Sequence, residues 1–272
     1  MEEDWNLFER IRDQEQVLIF MNTALKSRVP FIGYGHRITI VFNMYSLWDL
    51  SGSSTQKAQR LFYELEDRLI CRMKVKDFAI YAGRISSHNK MEMYFYARED
   101  WDWEPELKRI MADFPSFRYY SAMTADPEWS FYLNEMAPSA LEEQWMRNAK
   151  IAYALKRRGD NLELVREVQH WMYFSDSKRM NEVKSKVGQL GYRVIASEMD
   201  TERVVEPYVL QISKMHTLDV PTVNEITKEL FELASEGGGT YDGWGTRLKL
   251  KLPAKIRARV KRIFLKFIST FR

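Results

Sequence analysis

Cysteine is almost absent from this chain of 272 residues: Cys71 stands alone. That excludes an intrachain disulfide framework and a thiolate zinc cluster, and it points to a reducing compartment, the cytoplasm by default. Histidine is scarce too, with four residues, and none stands in an HExxH, a His-Cys cluster or a nucleophile elbow. No apolar run approaches the roughly 20 residues needed to span a bilayer, and the acidic start Met1-Glu2-Glu3-Asp4 lacks a signal-like apolar region. A phosphate cradle is missing as well. Gly237-Gly238-Gly239 follows a helical pattern and precedes a strand pattern, the reverse of a P-loop, and reads as a helix C-cap. No metal site or cofactor is expected.

What is present is a folded chain with an uneven charge. The 45% hydrophobic and 14% aromatic content excludes disorder, and the length predicts two domains. Residues 1–138 carry 17 basic and 21 acidic side chains, residues 139–248 carry 15 and 17, and residues 249–272 carry nine basic and none acidic. The body is mildly acidic and the tail strongly basic, so electrostatic arguments about partners concern the tail.

Hydrophobic periodicity and turn signals predict a repeated order. Trp5–Arg10 and Gln16–Met21 form a hairpin about a polar turn. A strand from His36 to Tyr45 precedes a helix begun by Ser53-Ser54-Thr55, with the stripe Ala58, Leu61, Phe62, Leu65 and Leu69. A hairpin follows (Phe78–Gly83, Met91–Tyr96), then a helix over Glu104–Phe114 and strands at Arg118–Met123 and Ser130–Asn134. The second half opens with a helix over Leu141–Arg158. It continues as strand (Glu167–Ser175), helix (Asp176–Leu190), two strands (Tyr192–Met199, Pro207–Ser213), a helix begun by Asp219-Val220-Pro221 and a closing Gly-rich strand. The order βαββαβ twice predicts an α+β fold: two tandem ferredoxin-like sandwiches with antiparallel sheets, over residues 1–138 and 139–252, and a basic amphipathic helix over 253–272.

Strands around Trp171 and Tyr94 are apolar on both registers, so both sheet faces should be covered. Packing of the two halves sheet against sheet is the first expectation, and a partner the second. In the closing strand Gly243 and Gly245 share a face open to close approach, with Asp242, Trp244 and Thr246 on the other. His170, His216 and Asp242 fall on neighbouring strands. They make a candidate hydrolytic or metal site, set against the plainer expectation of hydrogen-bonded core histidines. Tyr94 and Tyr96 are candidates for an RNA-stacking platform, but no Arg-Gly-aromatic opening accompanies them.

Several motifs fall in the order of a known family. Leu141-Glu142-Glu143-Gln144, Gly159-Asp160, Val168–Phe174, His216-Thr217 and Tyr241-Asp242-Gly243-Trp244-Gly245-Thr246 together resemble the RraB-like regulators of ribonuclease E. Asp4-Trp5-Asn6, Gly83-Arg84, Tyr94–Ala97 and Asp126–Leu133 resemble domain-of-unknown-function family 695, which commonly precedes an RraB-like domain. The resemblance implies a non-enzymatic regulator acting by protein-protein inhibition, with a ribonuclease as partner and His170, Trp171, His216, Tyr241, Asp242 and Trp244 as candidate binding residues. The basic tail departs from the markedly acidic family pattern. Its cations Lys255, Arg257, Arg259, Lys261, Arg262 and Lys266 line one side of an apolar stripe, which suits docking on the body, an anionic membrane surface or RNA phosphate.

Overall fold

The computed structural model describes residues 3–44, 55–73 and 78–249, side chains of 55–59 excepted. The helix start at Ser53-Ser54, Tyr45, Ala58 and the basic tail lie outside what is described. The chain divides into two compact units, Met1–Pro138 and Ser139–Arg272.

The first unit is a six-stranded antiparallel sheet of β1 (Trp5–Arg12), β2 (Glu15–Asn22), β3 (His36–Asn43), β4 (Ala79–Ser86), β5 (Lys90–Ala97) and β6 (Arg118–Ala125), in the order β1-β2-β4-β5-β3-β6. The β1–β2 hairpin closes through Asp13 and Gln14, both at positive φ (52° and 68°), as tight two-residue turns demand. Helices α1 (Thr55–Met73) and α2 (Glu104–Ala112) follow β3 and β5. Alternation along β3 sends Ile38, Ile40 and Phe42 into a core shared with Phe62, Leu65, Leu69, Leu107 and Ile110 of the helices.

The other face of this sheet is covered by the chain itself. Trp129 stacks on Tyr96 (centroids 3.7 Å apart) and Phe131 lies on Tyr94 (4.6 Å), with the Arg37 guanidinium 4.0 Å from the Phe131 ring. Residues Ser130–Asn134, predicted as a strand, instead enter a π-helical turn over Tyr132–Met136. The Asp126 carboxylate decides this by accepting from the backbone N–H groups of Ser130 (2.7 Å) and Phe131 (3.1 Å) and from the Tyr96 hydroxyl (2.6 Å). Trp129, Tyr132 and Met136 are all fully buried, a helical spacing that a strand cannot present to one side. The aromatic platform of Tyr94 and Tyr96 is thus sealed within the unit.

The second unit begins at Ser139, whose side chain caps α3 (Ala140–Arg157) in a capping box with Glu142. Strands β7 (Arg166–Phe174), β8 (Arg193–Met199), β9 (Tyr208–His216) and β10 (Gly239–Thr246) form an antiparallel sheet in the order β10-β7-β9-β8. Helices α4 (Ser177–Gln189) and α5 (Val220–Glu236) follow β7 and β9, capped by Asp176 and Asp219. Met172, Phe174, Leu210, Ile212 and Tyr241 pack against Val183, Val187 and Leu230 of these helices. Val168, Val223 and Trp244 pack with Ile151 and Leu155 of α3.

One register shift sets the faces of β10. Tyr241 pairs with Met172 and Gly243 with Trp171, leaving Asp242 as the extra residue of a bulge. Gly243 takes φ 143°, a conformation other residues rarely adopt. Strict alternation placed Asp242 with Trp244; the bulge instead gives Tyr241 and Trp244 the same inward face and leaves Asp242 exposed.

Candidate functional site

The residues singled out in the second unit separate into a buried set and a surface set. In the buried set, His170 of β7 and His216 of β9 approach Nε2 to Nε2 at 3.3 Å, and His170 Nδ1 lies 3.0 Å from the Tyr241 hydroxyl. His216 Nδ1 is 2.6 Å from the Thr217 carbonyl. A carbonyl only accepts, so His216 carries its proton on Nδ1 and presents a lone pair at Nε2. His170 therefore donates from Nε2 and accepts from Tyr241 at Nδ1. One run of donors results, and it fixes both tautomers.

Both imidazoles are neutral at physiological pH. Burial pushes His170 down to about 3, and the ammonium of Lys214, together with any charge taken up by His216, would add to the effect. Burial also lowers His216, against the opposing pull of the Thr217 carbonyl and Asp219. Burial raises the Tyr241 phenol well above its ordinary range, while its hydrogen bond with Thr227 works the other way. All four imidazole nitrogens are committed, and His170 is completely inaccessible. The pair can orient three strands; it cannot take a proton from a substrate without dismantling the core.

Asp242, the third member of the candidate hydrolytic site, is not part of this group. Its side chain is exposed on the bulge, and its backbone carbonyl accepts from Arg147 of α3 at 2.9 Å. Among the described residues no cluster of three or more His, Cys, Asp or Glu side chains is placed to hold a metal ion. Trp244 serves the docking of α3: its indole N–H donates to Asn148 Oδ1 (2.7 Å), and Asn148 Nδ2 donates to Asn224 Oδ1 (2.9 Å) and Thr227 Oγ1 (3.0 Å) of α5. Gln144 reaches the Tyr241 carbonyl at 3.1 Å. Sequence reasoning missed these polar partners, although Gln144, Asn148, Ile151 and Leu155 share one stripe of α3 at helical spacing.

Below this layer, Arg166 and Asp160 form a buried bidentate pair at 2.7 and 2.8 Å. The Asp160 carboxylate also accepts from the backbone N–H of Lys249 at 2.7 Å. Desolvation opposes the charge on Asp160, but the Arg166 and Lys249 bonds outweigh it and hold the carboxyl below the usual range.

The surface set lies on the sheet face away from the helices. Trp171 extends across β10 so that its ring would be 3.3 Å from a Cβ placed on Gly245. Gly245 is the seat that lets the indole lie against the strand. Next to it on β7, Tyr173 carries the Arg203 guanidinium 3.6 Å above its ring, and Gln211 of β9 bonds Gln169 at 3.1 Å. Trp171 and Tyr173 are both half-buried. The basic tail residues Lys255, Arg257, Arg259, Lys261, Arg262 and Lys266 lie outside the described residues.

Comparison with known proteins bears on this unit directly. The family model for Regulator of ribonuclease activity B matches residues 145–246. A regulator of that name from Xenorhabdus nematophila is 30% identical over 110 residues, covering 40% of this chain and 78% of the relative. The chain belongs to the RraB family. The Colwellia psychrerythraea regulator of the same name is 28% identical over 106 residues, 38% of this chain and 91% of that one. Ahead of the RraB region, a Family of unknown function (DUF695) matches residues 3–136. A solved structure of an unknown protein from Galdieria sulphuraria covers 76% of this chain and 96% of its own at 10% identity, with a TM-score of 0.21, too low for any inference. The RraB region takes in both histidines, Trp171 and the whole of β10, and no described helix is long and apolar enough to cross a membrane.

Proposed function

We propose that this RraB-family chain regulates a ribonuclease by binding it, without chemistry of its own, and that the contact surface is the sheet face bearing Trp171 and Tyr173. The observation that carries this is the 30% identity to a protein named Regulator of ribonuclease activity B across most of that protein's length. The commitment of all four nitrogens of His170 and His216 inside the core speaks against a hydrolase built on them. Half-buried aromatic rings, one braced by Arg203, are the residue types that anchor protein interfaces. Asp242 stands exposed on the bulge that leads into this strand, while His170, His216, Tyr241, Trp244 and Gly243 hold the frame that presents the surface.

The proposal takes both units as ferredoxin-like, since each βαββαβ run, counted by its own strands, lies in the order 4-1-3-2. Residues 1–138 form the uncharacterised domain, 139–252 the regulator and 253–272 a separate basic segment, all acting in the cytoplasm. The test is to add the full chain to a ribonuclease E type enzyme and follow cleavage and co-elution. Slower cleavage with a stable complex is expected, and Trp171→Ala or Arg203→Ala should weaken the complex about tenfold with an unchanged melting temperature. No complex and no change in rate would overturn the proposal.

A further inference from the structure

We infer that the first unit binds a nucleoside monophosphate group, free or at the end of an RNA strand, in a cavity at the end of its sheet. The cavity measures about 280 Å³ and is lined by Asn43, Asn89, Lys90, Arg118, Tyr119 and Tyr120, among others. Lys90 of β5 and Arg118 of β6 both oppose Asn43 of β3, one from each side. Residues directly opposed across an antiparallel sheet project to the same face, and strands one apart place the two Cα atoms about 10 Å from each other. Two long cationic side chains therefore rise from either side of one central residue, a spacing that lets both converge on a single anion.

Lys90 also borders a second cavity that holds Asp13, Glu15 and Glu92. No ion pair among the described residues engages Lys90 or Arg118, and both side chains are exposed. Unit 1 as a whole has more acidic than basic residues, yet no carboxylate lines this cavity among the described residues. Glu92, one strand row away, accepts from the Tyr94 hydroxyl (3.0 Å) and faces Arg12 at 3.5 Å. A planar guanidinium beside a lysine ammonium is a donor set for phosphate.

The remaining lining selects more than an inorganic ion. Tyr120 lies two residues along β6 from Arg118, on the same face, opposite Val41, and the residue is 62% exposed. Two residues of strand advance about 7 Å, which suits a base stacked on the phenol while its phosphate meets the cations. A volume of about 280 Å³ exceeds the needs of phosphate alone and sits near the lower limit for small-molecule sites. The lid formed by Trp129 and Phe131 rests on Tyr96 and Tyr94, opposite Arg37 and Thr39. The row of Val41 and Asn43 lies further along the same strand, past those contacts.

Calorimetric titration of the full chain with AMP, adenosine, inorganic phosphate and an oligoribonucleotide bearing a 5′-phosphate or a 5′-hydroxyl tests the inference. Saturable AMP binding is expected, without measurable adenosine binding. Lys90→Ala and Arg118→Ala should each weaken AMP about tenfold, and Tyr120→Ala should weaken AMP roughly fivefold while leaving inorganic phosphate unaffected. Tighter binding of the 5′-phosphorylated strand than of AMP assigns the site to RNA ends, and the reverse assigns it to free nucleotide. No saturation by AMP at low salt, equal affinities in the wild type and both cation variants, or phosphate bound as tightly as AMP would overturn the inference. None of these outcomes depends on ribonuclease regulation by the second unit.

Discussion

The Nε2 atoms of His170 and His216 face each other at 3.3 Å with one proton between them. Two neutral rings can share that contact, and two imidazolium ions cannot. The sign of the linked stability follows: the folded value of His170 is about 3 against an ordinary value near 6.5. A base whose folded value is depressed contributes stability that is complete above the unfolded value and lost as pH falls toward the folded one. The second unit should therefore weaken between about pH 6.5 and 3, by at most on the order of 5 kcal/mol. Urea unfolding at a series of pH values checks the slope. Nuclear magnetic resonance of His170 should show no titration between about pH 8 and 5.

Tyr241→Phe separates the frame from the surface. It removes the donor to His170 Nδ1 and one partner of Thr227, and leaving those buried groups unpaired should cost about 1–3 kcal/mol. Partner binding by the molecules that remain folded should be unchanged. Trp171→Ala should give the opposite pattern, and comparing melting temperature with complex formation for the two variants is the check.

Arg166→Ala strands the Asp160 carboxylate, which accepts from both Arg166 and the Lys249 N–H. Removing one partner of a buried pair costs about 3–5 kcal/mol. Arg166→Met combined with Asp160→Asn should recover part of that loss, because no uncompensated charge is left. Chemical denaturation of both variants gives the comparison.

Gly243→Ala tests the bulge. Nothing lies within 4 Å of a Cβ at this position, so any loss comes from backbone conformation at φ 143° and should be about 1–3 kcal/mol. Loss of the Tyr241–His170 contact in the variant, read from histidine chemical shifts, would accompany a register slip.

Local signals made the order of elements readable. Asp219 and Pro221 announce α5, Gly191 stops the chain after α4, and β-branched runs mark β3, because caps and turns act over a few residues. Faces were harder. One bulge residue at Asp242 inverts the alternation on which the inward direction of Tyr241 depends, and nothing nearby in the sequence fixes whether Gly243 or Asp242 absorbs it. Ser130–Asn134 read as a strand because the partners of this segment, Tyr94 and Tyr96, lie some 30 residues earlier. The histidine pair could be placed on adjacent strands from topology alone. Its tautomers required the Thr217 carbonyl, a contact visible only in three dimensions. Arg203 over Tyr173 had no sequence signal, since a loop arginine can point anywhere.

The aromatic lid that closes the first sheet has a practical consequence for dissecting the protein. Trp129, Tyr132 and Met136 are contributed by residues after the last strand ends at Ala125. A fragment trimmed to its final strand would retain every β-element and still bare the Tyr94 and Tyr96 rings to water, inviting self-association. Cut points for isolating this half therefore belong at Pro138, where the polypeptide passes to the next folding unit.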